Sequence, residues 1–197
     1  MDTLLTSPAD SRPDPRQTHV ILVGLPGAGK STVGHMLARR LGLDFLDFDA
    51  EIVRREGLPI TEIFAQRGEV AFRALEYGLT AEVSALSPRV LAPGGGWVTQ
   101  PETVALLRPR SRMAYLRISP AGALRRMGRR MSTRPLLQKA DPRGELERLL
   151  SARRAVYETA ELVVDVEHLD AQRVTDILER ELRHLDTRAS RSKSADS

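Results

Sequence analysis

The segment Gly24-Leu25-Pro26-Gly27-Ala28-Gly29-Lys30-Ser31 carries the complete phosphate-binding pattern G-x-x-x-x-G-K-[ST], and no other stretch constrains the fold of this chain as much. An apolar run, His19-Val20-Ile21-Leu22-Val23, leads into it. Behind it Val33, Met36, Leu37 and Leu41 recur on one helical face as far as Gly42, a C-terminal cap. Strand, glycine-rich turn and helix start are the context the motif requires. The glycines let successive backbone N–H groups close around phosphate oxygens, and the helix start adds the positive end of its dipole. Lys30 can reach the terminal phosphates as a point charge, and the Ser31 hydroxyl can bind Mg²⁺.

At 197 residues the chain is expected to form one domain. Without cysteine it has neither disulfides nor thiolate metal sites, and no apolar stretch approaches the roughly 20 residues that span a bilayer. Residues 1–17 contain Pro, Asp, Ser and Arg without an apolar block, so they read as a disordered leader rather than a targeting signal. Residues 187–197 read as a disordered tail, which leaves 18–186 as the folded unit. A cytoplasmic monomer with no membrane partner is the expectation. Of the thirty basic residues only Lys30, Lys139 and Lys193 are lysine, an arginine excess that suits bidentate recognition of phosphate and carboxylate. Aromatic residues are 4% and none interleaves with a basic stripe, so no nucleic-acid partner is expected. The histidines, His19, His35, His168 and His184, show no metal-ligand spacing.

Short apolar runs alternate with helical patterns along 18–186. Strands are predicted over 19–23, 44–48, 89–92, 112–118 and 161–165. Helices are predicted over roughly 30–41, 60–66, 69–86, 101–107, 120–127, 145–158 and 170–185. The alternation predicts an α/β three-layer sandwich, a five-stranded parallel sheet flanked by helices, with ligands beyond the C-terminal strand ends. The segment of about 128–144 differs: it holds Arg129, Arg130, Arg134, Pro135, Lys139 and Pro142 with little periodicity. It reads as a mobile basic lid over a nucleotide, or as a solvated surface loop.

Asp47-Phe48-Asp49 ends the second predicted strand, where residues two apart face the same side, so both carboxylates point to one region. One can serve Mg²⁺ through water and the other can orient or deprotonate a hydroxyl; alternatively both are ordinary solvated acids. In helix 69–86, Phe72, Leu75, Leu79, Val83 and Leu86 form the apolar stripe. Glu76 falls on it, with Arg73 three residues before. A charged pair at a buried face is either a structural ion pair or a ligand carboxylate clamp steadied by Glu76. Arg153 sits in the middle of the stripe of helix 145–158 and could complete a two-arginine clamp. Gly94-Gly95-Gly96 beyond the third strand lets backbone approach a ligand, or simply turns the chain.

Taken together, these blocks resemble shikimate kinases, P-loop enzymes of the nucleoside-monophosphate-kinase-like group, over about residues 19–182. The resemblance rests on the P-loop through Gly34, Phe45-Leu46-Asp47-Phe48-Asp49, Ile63-Phe64, Gly68-Glu69, and Phe72-Arg73-Ala74-Leu75-Glu76. Gly94-Gly95-Gly96, Arg134-Pro135-Leu136-Leu137 and Arg153 with Tyr157 complete it. It implies a P-loop NTPase fold with a mobile lid, and Mg²⁺-dependent transfer of the ATP γ-phosphate to the 3-hydroxyl of shikimate in chorismate and aromatic amino acid biosynthesis. It also implies roles: Lys30, Asp49 and Arg134 in catalysis; Gly27, Ala28, Gly29, Lys30, Ser31, Thr32, Arg126 and Arg134 for ATP. Asp49, Arg73, Gly94, Gly95, Gly96 and Arg153 would hold shikimate, and Ser31 with Asp47, through water, would serve the metal. The sequence departs from the family at Val53, where Glu is frequent, and at Pro93, where Thr, Leu or Ser is commoner.

Overall fold

A computed structural model describes residues 18–128 and 141–195, with side chains as far as 185. Residues 1–17, and 129–140 within the predicted lid, lie outside the described residues, and Arg134 with them. Five strands, β1 (His19–Val23), β2 (Asp44–Asp47), β3 (Arg89–Ala92), β4 (Ser111–Arg117) and β5 (Leu162–Asp165), form one parallel sheet in the order β2-β3-β1-β4-β5. The helices are α1 (Lys30–Leu41), α2 (Phe48–Glu56), α3 (Ile60–Ser84), α4 (Pro101–Leu107), α5 (Pro120–Met127), α6 (Pro142–Tyr157) and α7 (Ala171–Ala195).

The central strands are apolar on both faces, and their two-residue period sorts them into two cores. Val20 and Leu22 of β1, with Ala114 and Leu116 of β4, pack beneath α1, α5, α6 and α7. Ile21 and Val23, with Met113 and Tyr115, pack on the other face against Phe48 and Ile52 of α2 and Ile63, Phe72, Leu79 and Val83 of α3. This is the three-layer arrangement expected from the alternation of elements. It brings the segments that follow β1, β2 and β3 to one edge of the sheet.

Two local differences from the sequence reading, and one expected break, have physical causes. Only Asp47 of the Asp47-Phe48-Asp49 segment belongs to a strand, as the last residue of β2. Asp47 is the N-cap of a helix absent from the prediction, its Oδ1 accepting from the Ala50 N–H at 3.2 Å, and Asp49 lies in that helix's first turn. The two carboxylates therefore stand at the cap and in the first turn of α2 instead of sharing a strand face. Helices 60–66 and 69–86, expected as separate elements, are the two halves of α3, which breaks between them at Gly68, whose φ of 79° and ψ of 175° interrupt the helical path. Finally, α7 runs to Ala195, through most of the segment read as a tail; Thr187–Ala195 contains no Gly or Pro to stop it.

Candidate active site

The P-loop closes between β1 and α1. Gly24, Gly27 and Gly29 all have positive φ, of 144°, 85° and 96°, so the turn needs glycine at each. Space requires it as well: a Cβ on Gly24 would lie 2.6 Å from the Leu116 carbonyl oxygen, and one on Gly27 2.7 Å from that of Ala123. Ala28 is buried, whereas Ser31 and Thr32 in the first turn of α1 are exposed. Lys30 folds back over the loop, its Nζ donating to the carbonyls of Gly24 at 3.0 Å and Leu25 at 3.3 Å. The ammonium thus lies over the cradle its own backbone forms.

Ser31 and Asp47, sixteen residues apart, meet at the rim, the Ser31 hydroxyl donating to Asp47 Oδ2 at 2.5 Å. The two oxygen donors are side by side at an exposed position, as suits a cation that takes only one or two protein oxygens and completes its shell with water and phosphate. Among the described residues no cluster of three or more His, Asp or Glu could cage a metal by itself. Arg126, on α5, reaches the same side of the loop: a Cβ on Gly29 would lie 3.9 Å from Arg126 Nη1. Its guanidinium donates to the carbonyl of Val166 and, at 2.6 Å, to that of Leu169, which fixes it at the mouth of the β5–α7 connection.

The second half of the site is organised by Gly94-Gly95-Gly96, each glycine leaving room for a different side chain. A Cβ on Gly94 would lie 2.6 Å from Asp49 Oδ1 and 2.9 Å from Glu76 Oε1. One on Gly95 would lie 2.7 Å from Arg153 Nη1, and one on Gly96 would fall on the Arg73 guanidinium. Three consecutive residues therefore gather groups from α2, α6 and α3. The turn is held by its own backbone: Trp97 N–H donates to the Gly94 carbonyl and Thr99 N–H to that of Gly96, each at 3.0 Å. It is pinned to α3 by the buried Trp97 indole N–H, which donates to Thr80 Oγ1 at 3.0 Å.

Arg73 is held by carboxylates on two sides. Its Nη1 donates to Glu76 Oε2 at 2.5 Å, and its Nη2 and Nε donate to Glu69 Oε1 at 2.8 and 3.2 Å. The partners differ in kind. Glu76 is fully buried, whereas the Glu69 side chain is 66% exposed and can give way to a ligand. Burial pushes the Glu76 carboxyl above its usual range; the Arg73 charge works against that, and the nearby Asp49 charge adds to it. Arg153 is itself buried, its Nε without a partner among the described residues, beside Tyr157 one turn further along α6. Tyr157 stacks on Tyr115 with ring centroids 4.9 Å apart, and burial pushes its hydroxyl up to about 12, so it stays protonated.

All candidate residues within the described part of the chain thus fall into two adjoining groups. Lys30, Ser31, Thr32, Asp47 and Arg126 border the P-loop; Asp49, Arg73, Arg153 and the three glycines form the other. Sequence reasoning gave no role to Glu69, named only in the Gly68-Glu69 block, and passed over Gln100, whose side-chain amide donates to Glu76 Oε2 at 3.0 Å. Glu69 was findable, standing four residues before Arg73 on one helix. Gln100 lies 24 positions from Glu76, and no local spacing signals that contact.

The family model described as shikimate kinase matches residues 26–182. A shikimate kinase from Dechloromonas aromatica is 44% identical over 168 residues, covering 85% of this chain and 91% of that protein. One from Thermobifida fusca is 43% identical over 163 residues, covering 82% and 93%. Among solved structures, a shikimate kinase from Acinetobacter baumannii in complex with shikimate is similar with a TM-score of 0.79. It is 38% identical, covering 85% of this chain and 94% of its own. A gluconokinase from Sinorhizobium meliloti, with a TM-score of 0.60 and 18% identity, shares the fold.

Proposed function

The chain belongs to the shikimate kinase family, and from that premise we propose how its side chains divide the work of transferring the ATP γ-phosphoryl group to the 3-hydroxyl of shikimate. The observation that carries the reading is the triple glycine, because Asp49, Arg153 and Arg73 all converge on it. Arg73 and Arg153 clamp the shikimate carboxylate. Glu69 yields the outer edge of the Arg73 fork and Glu76 keeps the inner edge. Asp49 receives the hydroxyl proton as that oxygen attacks the γ-phosphorus, and the bond from phosphorus to the bridging oxygen breaks with ADP as the leaving group. The P-loop amides and Lys30 hold the phosphates and stabilise the charge that spreads over the transferring group.

Ser31 and Asp47, the latter through water, would hold Mg²⁺, which supplies charge neutralisation between the phosphates; their juxtaposition at the rim supports that role. Arg126 borders the nucleotide from the adenine side. Arg134 is assigned to the phosphates by its place in the Arg-Pro-Leu-Leu block alone. The chain is taken to work as a monomer, since one chain supplies every group named here. A cytoplasmic location is in keeping with the lack, among the described residues, of a helix long and apolar enough to cross a membrane.

The deciding experiment is a coupled ADP-release assay with ATP and Mg²⁺ that compares shikimate, quinate, gluconate and nucleoside monophosphates. Turnover with shikimate far above the others is expected. Equal or greater turnover with gluconate would overturn the choice of shikimate as substrate, and equal or greater turnover with a nucleoside monophosphate, which has no carboxylate, would overturn the carboxylate-clamp reading.

A further inference from the structure

Resting on that reading of the site, we propose that Gln100 is a positioning residue: its side-chain amide keeps the buried Glu76 carboxylate aimed at Arg73, and so sets how tightly the site takes a carboxylate-bearing substrate. Gln100 occupies the N-cap position of α4, where Ser, Thr, Asn or Asp ordinarily turns its side chain back to the helix's free N–H groups. Gln100 makes no such bond. Its Nε2 crosses to α3 and donates to Glu76 Oε2 at 3.0 Å, the same oxygen that accepts from Arg73 at 2.5 Å.

The backbone presents that amide firmly. Gln100 N–H donates to the Trp97 carbonyl at 3.2 Å, and the Gln100 carbonyl accepts from Val104 N–H at 3.0 Å. Gln100 is the last residue of the turn that begins at Gly94. The loop that makes room for Asp49, Arg153 and Arg73 therefore also delivers the donor that fixes Arg73's partner.

Glu76 needs that donor. It is 0% exposed, so no water competes for its charge, and its Oε1 has no hydrogen-bond partner among the described residues. The groups that face it are Arg73 on its own helix, Asp49 of α2 and Gln100, with Arg153 of α6 beyond Gly95 and Glu69 across the Arg73 fork. Burial and Asp49 favour the protonated carboxyl; Arg73 and Gln100 favour the carboxylate. Without the Gln100 amide the balance moves toward protonation. A protonated Glu76 no longer anchors Arg73 Nη1, the guanidinium loses its fixed orientation, and the clamp binds less tightly.

The test replaces Gln100 by Met, of similar length but without a donor, and in parallel by Leu, which removes the same amide with a different shape. Steady-state kinetics with shikimate and ATP should show the shikimate KM raised about tenfold near neutral pH, with kcat and the ATP KM essentially unchanged. The excess in KM should widen as the pH is lowered from about 8 to about 6. Independently of turnover, a carboxyl ¹³C titration, with the Glu76 signal assigned by Glu76→Gln, should show Glu76 titrating at higher pH in both variants than in the wild type. An unchanged shikimate KM, a KM change that ignores pH, a parallel loss in kcat and ATP binding, or an unmoved Glu76 titration would each overturn the proposal. A wild-type enzyme that fails to phosphorylate shikimate overturns the reading of the function instead, and the titration still decides the part played by Gln100.

Discussion

Arg73 and Arg153 are held in different ways, and substitution should reveal it. Arg73 has carboxylates on both sides, whereas Arg153 is buried with no acidic partner among its described contacts. Lys keeps the charge and loses the two-pronged donor. Arg73→Lys and Arg153→Lys are each expected to weaken shikimate binding by about 1–3 kcal/mol, with ATP affinity little changed. Titration calorimetry with each ligand separately would show it; loss of ATP binding alone would contradict the assignment. Gly96→Ala probes the same clamp without touching a charge. Gly96 has ordinary helical φ and ψ, of −82° and −14°, so Ala brings no backbone strain, but its Cβ falls on the Arg73 guanidinium. Because the displaced atoms end a flexible side chain, the melting temperature should hold while the shikimate KM rises about tenfold. A melt lowered in step with binding would point to a merely structural glycine.

At the scale of elements, α1 lies close against β2 because Gly34 faces Phe45. A Cβ there would fall on Phe45 Cε2 and lie 2.9 Å from Cδ2 and 3.0 Å from Cζ, and the ring is already in contact with His35, centroids 4.2 Å apart. Gly34→Ala should gain about 1 kcal/mol of helix propensity and lose about 1–3 kcal/mol to overpacking, for a net loss of about 1 kcal/mol. Thermal melting reads this as a fall of about 2–4 °C, and a rise would mean the ring has room to move. Most elements were legible because their signals are local: β1, α1, β3, α4 and α5 follow from apolar period, Pro at helix starts and Gly at ends. The helix after β2 was missed although its marks are present: Asp47 as cap, Asp49 and Glu51 in the first turn, Arg54 and Arg55 in the last, Gly57 beyond. The apolar Phe45-Leu46 run drew the strand reading one residue too far. Arg73, Glu76 and Arg153 could be picked out because charge on an apolar stripe is conspicuous. Gln100 could not, since its partner is brought by tertiary folding alone.

For the whole molecule, acid should be the main solvent lever. His19, at the start of β1, is fully buried with neither ring nitrogen bonded to any described group. Burial, with the charges of Arg110 and Arg89, lowers it from 6.5 to about 4. Between those values the unfolded chain holds a proton that the folded chain does not, so stability is complete above about pH 6.5 and is lost as pH falls toward 4. Glu51, bonded to Arg54 and Arg55, is lowered from 4.5 to about 2 and adds a loss in that lower window. Glu76, raised, works in the opposite sense. Urea unfolding at several pH values should show the first decline as roughly 2–3 kcal/mol, and His19→Leu should remove it. A decline that survives the substitution would place its origin elsewhere.

The strand order also governs how the chain can be made. β1 lies at the centre of the sheet, yet its neighbours are the third and fourth strands, so that Val20 waits for Val90 on one side and Arg112 on the other. A nascent chain emerging from the ribosome presents its phosphate-cradling strand first, can pair neither edge before β3 is complete at residue 92, and cannot pair both before β4 is complete at residue 117. Until then that strand is an apolar ribbon with at least one edge open, and a message truncated ahead of β4 yields a species prone to self-association rather than a smaller working fold.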